Sequence, residues 1–137
     1  MDPLSVSASI AALLQLTGTV VQYLNSVMGA SEDRQNILLQ ISSVSGLLYL
    51  LRDLAKRTEG EDSWFKTLNS LSVPEGPLEQ FKTVLETLAS KLKPVVGWKK
   101  AGKAFTWPFQ KGEIKDILCT IERQKSLFGL ALQNDHM

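Results

Sequence analysis

The chain opens with a segment of helical length that contains no charged residue. No Asp, Glu, Lys or Arg lies between Pro3 and Ser31, and fifteen of the twenty-five residues from Leu4 to Met28 are apolar. Apolar residues recur there at spacings of three and four, as along one face of an α-helix: Val6, Ile10, Leu13, Leu14, Val20, Val21, Leu24 and Val27. The opposite face is polar but uncharged: Ser5, Ser9, Gln15, Thr19, Gln22 and Ser26. Asp2 and Pro3 suit a helix N-terminus, so the pattern predicts a helix over residues 3–28.

Apolar stripes of the same period predict three further long helices, over residues 32–57, 77–94 and 111–133. Trp64, Phe65, Leu68 and Leu71 predict one short helix between the second and the third. Pro94 should end the third helix, and residues 94–110 should be irregular. No run alternates for long with the period of a β-strand, and no Asn-Gly or Asp-Gly turn occurs. We therefore expect an all-α fold: an antiparallel four-helix bundle with an additional short helix, forming a single domain over residues 1–137.

A chain of 137 residues can bury about two-thirds of its unfolded surface, enough for one hydrophobic core without metals or disulfides. The predicted core takes the apolar positions of all four long helices. Its members are Ile10, Leu13, Val20, Leu24, Ile41, Leu48, Leu51, Phe81, Leu85, Leu88, Ile114, Ile121 and Phe128.

The composition argues against an enzyme. One Cys and one His leave no disulfide framework, no Cys/His zinc site and little room for Ser-His or Cys-His catalysis. No glycine-rich phosphate loop, HExxH or GxSxG motif occurs. Cys119 should be an unreactive thiol, His136 lies near the end of the chain, and Glu59, Glu61 and Asp62 should be solvated. We expect no catalytic residue, no cofactor and no metal.

Charge is unevenly distributed, although the net charge is only +1. Residues 1–90 carry six Lys or Arg and ten Asp or Glu, whereas residues 91–137 carry nine and four. The basic stretch interleaves lysines with aromatic residues: Lys91, Lys93, Lys99, Lys100, Lys103 and Lys111 with Trp98, Phe105, Trp107 and Phe109. Such a segment can bind anionic lipid or single-stranded nucleic acid, or it can be a solvated charge run whose aromatic rings plug one end of the bundle.

Several blocks of the sequence resemble a known family. The opening MDPLSVSASIAALLQLTGTVVQYL, then SSVSGLLYLLRDLA, then WPF followed by EIKDILCTIERQKSLFGLALQNDH are similar to the fungal HeLo-like N-terminal domain. That domain lies at the front of fungal NOD-like (STAND) receptors, often before a NACHT ATPase and ankyrin or similar repeats. The resemblance covers nearly the whole chain and implies a helical bundle related to the HeLo domain and to the mixed-lineage kinase-like pseudokinase.

The resemblance implies regulated cell death in fungal innate immunity and heterokaryon incompatibility. The domain would be cytoplasmic at rest and would permeabilise the plasma membrane as an oligomer, with a NACHT and repeat region as partner in cis or in trans. Its N-terminal helix would insert through Leu4, Val6, Ile10, Leu13, Leu14, Val20, Val21 and Leu24. Anionic lipids are then the expected partner of Lys93, Trp98, Lys99, Lys100, Lys103 and Trp107, and nucleic acid is not expected.

The same uncharged opening also fits a core helix of a soluble bundle. As one helix, residues 4–31 would extend about 42 Å, more than the hydrocarbon core of about 30 Å. Ten polar or glycine residues make it a poor permanent span, and Asp2 stands where a secretory signal would be basic. Two functions stay open from the residues alone: a membrane-inserting effector, and a helical adaptor that acts only through protein contacts.

Overall fold

The computed structural model describes residues 3–27, 31–57, 62–100 and 107–133. All regular structure in these ranges is helical, which confirms the all-α prediction. The helices are α1 (Pro3–Ser26), α2 (Ser31–Arg57), α3 (Asp62–Leu71), α4 (Pro77–Lys100) and α5 (Lys111–Gln133). Three of the long helices begin and end within two residues of their predicted limits, and α3 is the predicted short helix.

The prediction that Pro94 ends the third long helix is wrong, because α4 continues to Lys100. Proline removes the hydrogen bond that its N–H would donate to the carbonyl four residues earlier, here that of Ser90. Ser90 and Pro94 are both exposed, so water can bind this carbonyl. Val95 is buried and continues the apolar stripe of α4, and this packing outweighs the local preference. Residues 101–106 lie outside the described residues, and residues 107–110 are irregular as predicted.

The four long helices pack in neighbouring pairs around one core. α1 packs along α2 and α4, α5 packs along the same two helices, and α3 contacts α1 and α5. All thirteen predicted core residues are buried. Phe81 of α4 and Phe128 of α5 meet edge to face, with ring centroids 6.3 Å apart. The helical period of the sequence therefore identified the core face of every long helix.

A tight turn joins α3 to α4. The Gly76 N–H donates to the Val73 carbonyl at 2.9 Å, and Glu75 takes a left-handed conformation with a φ of 60°. The Glu75 N–H donates to the Glu79 carboxylate at 3.0 Å, which ties the turn to the first turn of α4. A Cβ atom on Gly76 would lie 2.8 Å from the Val73 carbonyl oxygen, so this position requires glycine.

Candidate functional site

The inner face of α1 is part of the core. Among the eight residues predicted to insert into a bilayer, five are buried and two, Leu14 and Val21, are half-buried. The buried ones are Val6, Ile10, Leu13, Val20 and Leu24. The side chain of Leu4 lies outside the described residues. The face that would enter a membrane is therefore the face that packs on α2 and α4 in this structure.

The outer face of α1 carries no charge. Its exposed residues are Ala8, Ala12, Gln15, Gly18, Gln22 and Asn25. Of the predicted polar face, Gln15 and Gln22 are exposed, whereas Ser9, Thr19 and Ser26 are half-buried and the side chain of Ser5 lies outside the described residues. Water thus meets small and amide side chains along this helix.

Three hydroxyl groups of α1 are bonded within the helix. Thr17 donates to the Leu13 carbonyl at 2.8 Å, Thr19 to the Gln15 carbonyl at 3.3 Å, and Ser26 to the Gln22 carbonyl at 2.8 Å. A polar group without a partner is costly to bury, and one that bonds its own helix keeps that partner in any solvent. These three residues therefore add less to the cost of moving α1 into hydrocarbon than their polarity suggests.

α2 shares the uncharged character of α1, which sequence reasoning missed. Its charges lie at its ends, and none occurs from Gln35 to Leu51. Glu32 and Asp33 occupy the first turn, and Lys56 and Arg57 the last, where the helix dipole favours them. The charge of the helix as a whole conceals this interval, whereas the spacing between successive charged residues would have found it.

Two helices among the described residues are long and apolar enough to span a membrane. They cover Val6–Ser26 and Glu32–Arg57. Core helices of soluble proteins meet the same criteria of length and composition. The exposed faces of the two helices are therefore more informative, because core packing does not require them to be uncharged or apolar.

The basic segment is described only in part. Lys93 is exposed on α4; Trp98, Lys99 and Lys100 belong to its C-terminal end, and their side chains lie outside the described residues, as does Lys103. The described residues therefore do not bring the six predicted lipid contacts together.

Trp107 and Phe109 form an aromatic pair beside the core. Trp107 is half-buried, Phe109 is buried, and their ring centroids are 5.2 Å apart. The indole N–H of Trp107 has no hydrogen-bond partner in the part of the chain that the structure describes. The burial of Phe109 agrees with the alternative in which these rings plug the bundle.

Lys91 is engaged by an acid that sequence reasoning did not single out. Its ammonium group forms an ion pair with Glu113 at the start of α5 and lies 5.4 Å from the centre of the Phe109 ring. Glu113 also accepts the backbone N–H of Gln110 at 3.2 Å. The hydrogen bond from Lys91, followed by that from Gln110, holds the pKa of Glu113 below its ordinary value. A Glu three residues after a helix N-cap is a signal that the sequence does contain.

The remaining candidates assemble no chemical site among the described residues. No group of three or more His, Cys, Asp or Glu side chains there could hold a metal ion. Cys119 is exposed. Glu59, Glu61, His136 and the side chain of Asp62 lie outside the described residues.

Comparison of the chain with family models, with curated proteins and with solved structures finds no match.

Proposed function

We propose that the chain is a membrane-targeting, pore-forming effector domain of regulated cell death, belonging to a fungal innate-immunity or heterokaryon-incompatibility receptor. One observation carries the proposal: the face of α1 that water meets has no charge along its whole described length. A core helix needs an apolar stripe on one side only. Its solvent face ordinarily carries Lys or Glu, and their absence removes the largest barrier to entry into a bilayer.

The resting domain is an antiparallel four-helix bundle with one short extra helix. The pairing of α1 with α2 and α4, and of α5 with the same two helices, supports this arrangement. In this state α1 turns its apolar face inward and the domain stays in the cytoplasm. Release of α1 exposes Ile10, Val20 and Leu24, which are buried in the bundle. Hydrocarbon then replaces the core as their environment.

Insertion occurs as an oligomer. The exposed side of α1 presents Ala8, Ala12 and Gly18, whose small side chains allow helices to approach closely in a membrane. Gln22 on the same side can form hydrogen bonds between copies within the bilayer. The activity requires no catalytic residue, cofactor or metal.

First contact with the plasma membrane is electrostatic. Each Lys near an anionic surface contributes about 1 kcal/mol, and Trp favours the interface. The contacting residues are Lys93, Trp98, Lys99, Lys100, Lys103 and Trp107. Lys91 was not among the predicted contacts, and its ammonium group is paired with Glu113. A NACHT and repeat region, in cis or in trans, would control release.

The second candidate function is an adaptor that acts through protein contacts. It is favoured by Leu127 and Leu130, which are exposed on neighbouring turns of α5. Leu130 and Gly129 line an open groove with Leu47 of α2. Exposed apolar residues of this kind can mark protein contacts as well as lipid contacts.

Dye release from vesicles separates the two functions. The purified chain should release dye from vesicles that contain phosphatidylserine and leave neutral vesicles largely intact. An adaptor would self-associate in solution and release no dye from either kind of vesicle, and this result would contradict the proposed function.

A further inference from the structure

We infer that α2 crosses the bilayer together with α1, so that the inserted unit is a hairpin of two helices. The inference rests on the proposed function and adds to it a second spanning element. Its partner is the hydrocarbon interior of a lipid bilayer, and the surface that meets it is the outward face of α2.

The distribution of charge on α2 matches the thickness of a membrane. The uncharged interval from Gln35 to Leu51 has seventeen residues and extends about 25 Å as a helix. The hydrocarbon core is about 30 Å thick, and bilayers adapt to a span a few ångströms short at modest cost. Arg34 and Arg52 flank the interval, where long basic side chains can reach the head groups.

The outward face of α2 is more apolar than a solvent face needs to be. Leu39 is 63% exposed, Leu50 56% and Tyr49 50%. Ser42 and Gly46 complete this face between them. Tyr49 lies near the end of the uncharged interval, 5.1 Å from the guanidinium of Arg52, and tyrosine beside a basic residue is common where a span reaches the membrane interface.

One hydroxyl group of α2 is bonded within the helix, as three are in α1. The Ser43 hydroxyl donates to the Leu39 carbonyl at 3.1 Å. This bond needs no water and persists in hydrocarbon.

The contact between the two helices favours their moving as a unit. If α1 left alone, α2, whose buried residues include Ile41 and Leu48, would keep only α5 of the two long helices that it packs along. Insertion as a hairpin keeps the α1–α2 interface intact. Arg34 adds a bond at the closed end, because its guanidinium donates to the Leu24 carbonyl in the last turn of α1 at 3.3 Å.

Depth-dependent fluorescence tests the hairpin directly. An environment-sensitive dye is attached, one site at a time, to Gln15→Cys in α1, Ser42→Cys in α2 or Glu122→Cys in α5, each with Cys119→Ser. All three positions are exposed in the folded chain. The labelled chains are mixed with phosphatidylserine vesicles that carry a quencher on the lipid acyl chains.

We expect the acyl-chain quencher to reach the dyes at positions 15 and 42 and to leave the dye at 122 unaffected. Quenching at 15 alone would overturn the hairpin and leave the proposed function intact, whereas quenching at neither would contradict both. Quenching at all three sites would mean that the whole bundle enters and would overturn the hairpin. A change in the emission of the dye at position 42 without quenching by lipid would mean that a second copy of the chain covers that face of α2. This result would also overturn the hairpin.

A pair of lysine variants gives an independent readout. Ser42→Lys places a charge near the centre of the uncharged interval, whereas Gln35→Lys places it at the edge, and both positions are exposed. A charge at the bilayer centre should shift insertion by about a hundredfold per copy. We expect Ser42→Lys to abolish dye release and Gln35→Lys to retain most of it, at equal melting temperatures. Equal release by the two folded variants would overturn the inference, whether or not Gln15→Lys is inactive.

Discussion

Gln124 of α5 donates its side-chain amide to the side-chain oxygen of Gln80 on α4 at 2.9 Å. Gln124 is fully buried, and its own side-chain oxygen has no partner within the described ranges. Gln80 is half-buried and donates to the Glu75 carbonyl at 2.7 Å. The two amides thus link α5, α4 and the turn before α4.

The burial of these two residues predicts unequal effects of their loss. Gln80→Leu should lower the free energy of unfolding by about 1–3 kcal/mol, because it leaves the whole buried Gln124 amide without a hydrogen-bond partner. Gln124→Leu should be nearly neutral or stabilising, since it removes the buried polar group and leaves Gln80 within reach of water. Urea unfolding measures both, and the double variant should regain the stability lost by Gln80→Leu. Equal losses in the two single variants would contradict this account.

The Lys91–Glu113 pair predicts a dependence of stability on pH. The pKa of Glu113 is lower in the folded chain than in the unfolded chain, so the ionised carboxylate stabilises the fold. This stabilisation is fully present above the unfolded carboxyl pKa of about 4.3 and is lost as the pH falls through the lower pKa of the folded chain. Glu113→Gln should therefore be less stable than the parent at neutral pH, and the difference should vanish in acid. Urea midpoints at both pH values measure it. Glu86→Gln, at an exposed position of α4, serves as the control and should show a smaller difference.

A charge on the outer face of α1 should separate folding from activity. With residue 15 near the bilayer centre, Gln15→Lys should raise the free energy of insertion by about 3 kcal/mol for each copy. Because Gln15 is exposed, the same change should alter the free energy of unfolding by about 0.5 kcal/mol or less. Dye release should be lost at an unchanged melting temperature. Thr87→Lys, exposed on α4, is the matched control and should remain active. If folded Gln15→Lys permeabilises vesicles as the parent does, the adaptor function is favoured.

The basic segment should govern the first attachment to lipid. Lys99, Lys100 and Lys103 changed together to Glu should weaken binding to phosphatidylserine vesicles. Added salt should weaken binding of the parent, because such attraction is screened over about 8 Å at physiological ionic strength. Vesicle co-sedimentation measures both effects. The triple change of Lys56, Lys66 and Lys82 to Glu alters the net charge equally at exposed positions elsewhere, and a loss of the same size there would refute a specific role for the segment.

Two glycines should respond in opposite ways to alanine. Gly76→Ala should cost about 1–3 kcal/mol, because its Cβ would lie 2.8 Å from the Val73 carbonyl oxygen in a tight turn. Gly46→Ala meets no atom within 4 Å and lies inside α2, where alanine is favoured by about 1 kcal/mol. Thermal unfolding of the two variants measures the contrast. Stabilisation by Gly76→Ala would show that the turn is less constrained than described.

Periodicity identified the helices and their core faces because apolar residues spaced three and four apart lie on one face of a helix, and that face is the one that becomes buried. Local rules succeeded at Pro3, where α1 begins as predicted, and failed at Pro94, where Val95 packs into the core. The Lys91–Glu113 and Gln80–Gln124 pairs join residues far apart in sequence, so they could be found only once α4 and α5 were placed side by side.

The exposed faces were predictable only in part. The uncharged opening was evident because nothing interrupts it for twenty-nine residues, from Pro3 to Ser31. The interval in α2 went unnoticed because charges at both ends of that helix give it an ordinary composition. Which of its apolar residues face water, Leu39 and Leu50 among them, depends on how α2 packs on α1 and α5.

Pro94 gives α4 a mechanical property that an uninterrupted helix would lack. The Ser90 carbonyl accepts no hydrogen bond from residue 94, so one backbone hydrogen bond of α4 is absent at an exposed position. Leu92 and Val95 are buried on either side of this point, so core packing holds α4 continuous where the backbone hydrogen bond is missing. Trp98, Lys99 and Lys100 follow in the last turn of the helix. The direction of the end of the molecule proposed to touch lipid is therefore set by how Val95 packs, and not by an unbroken series of backbone hydrogen bonds.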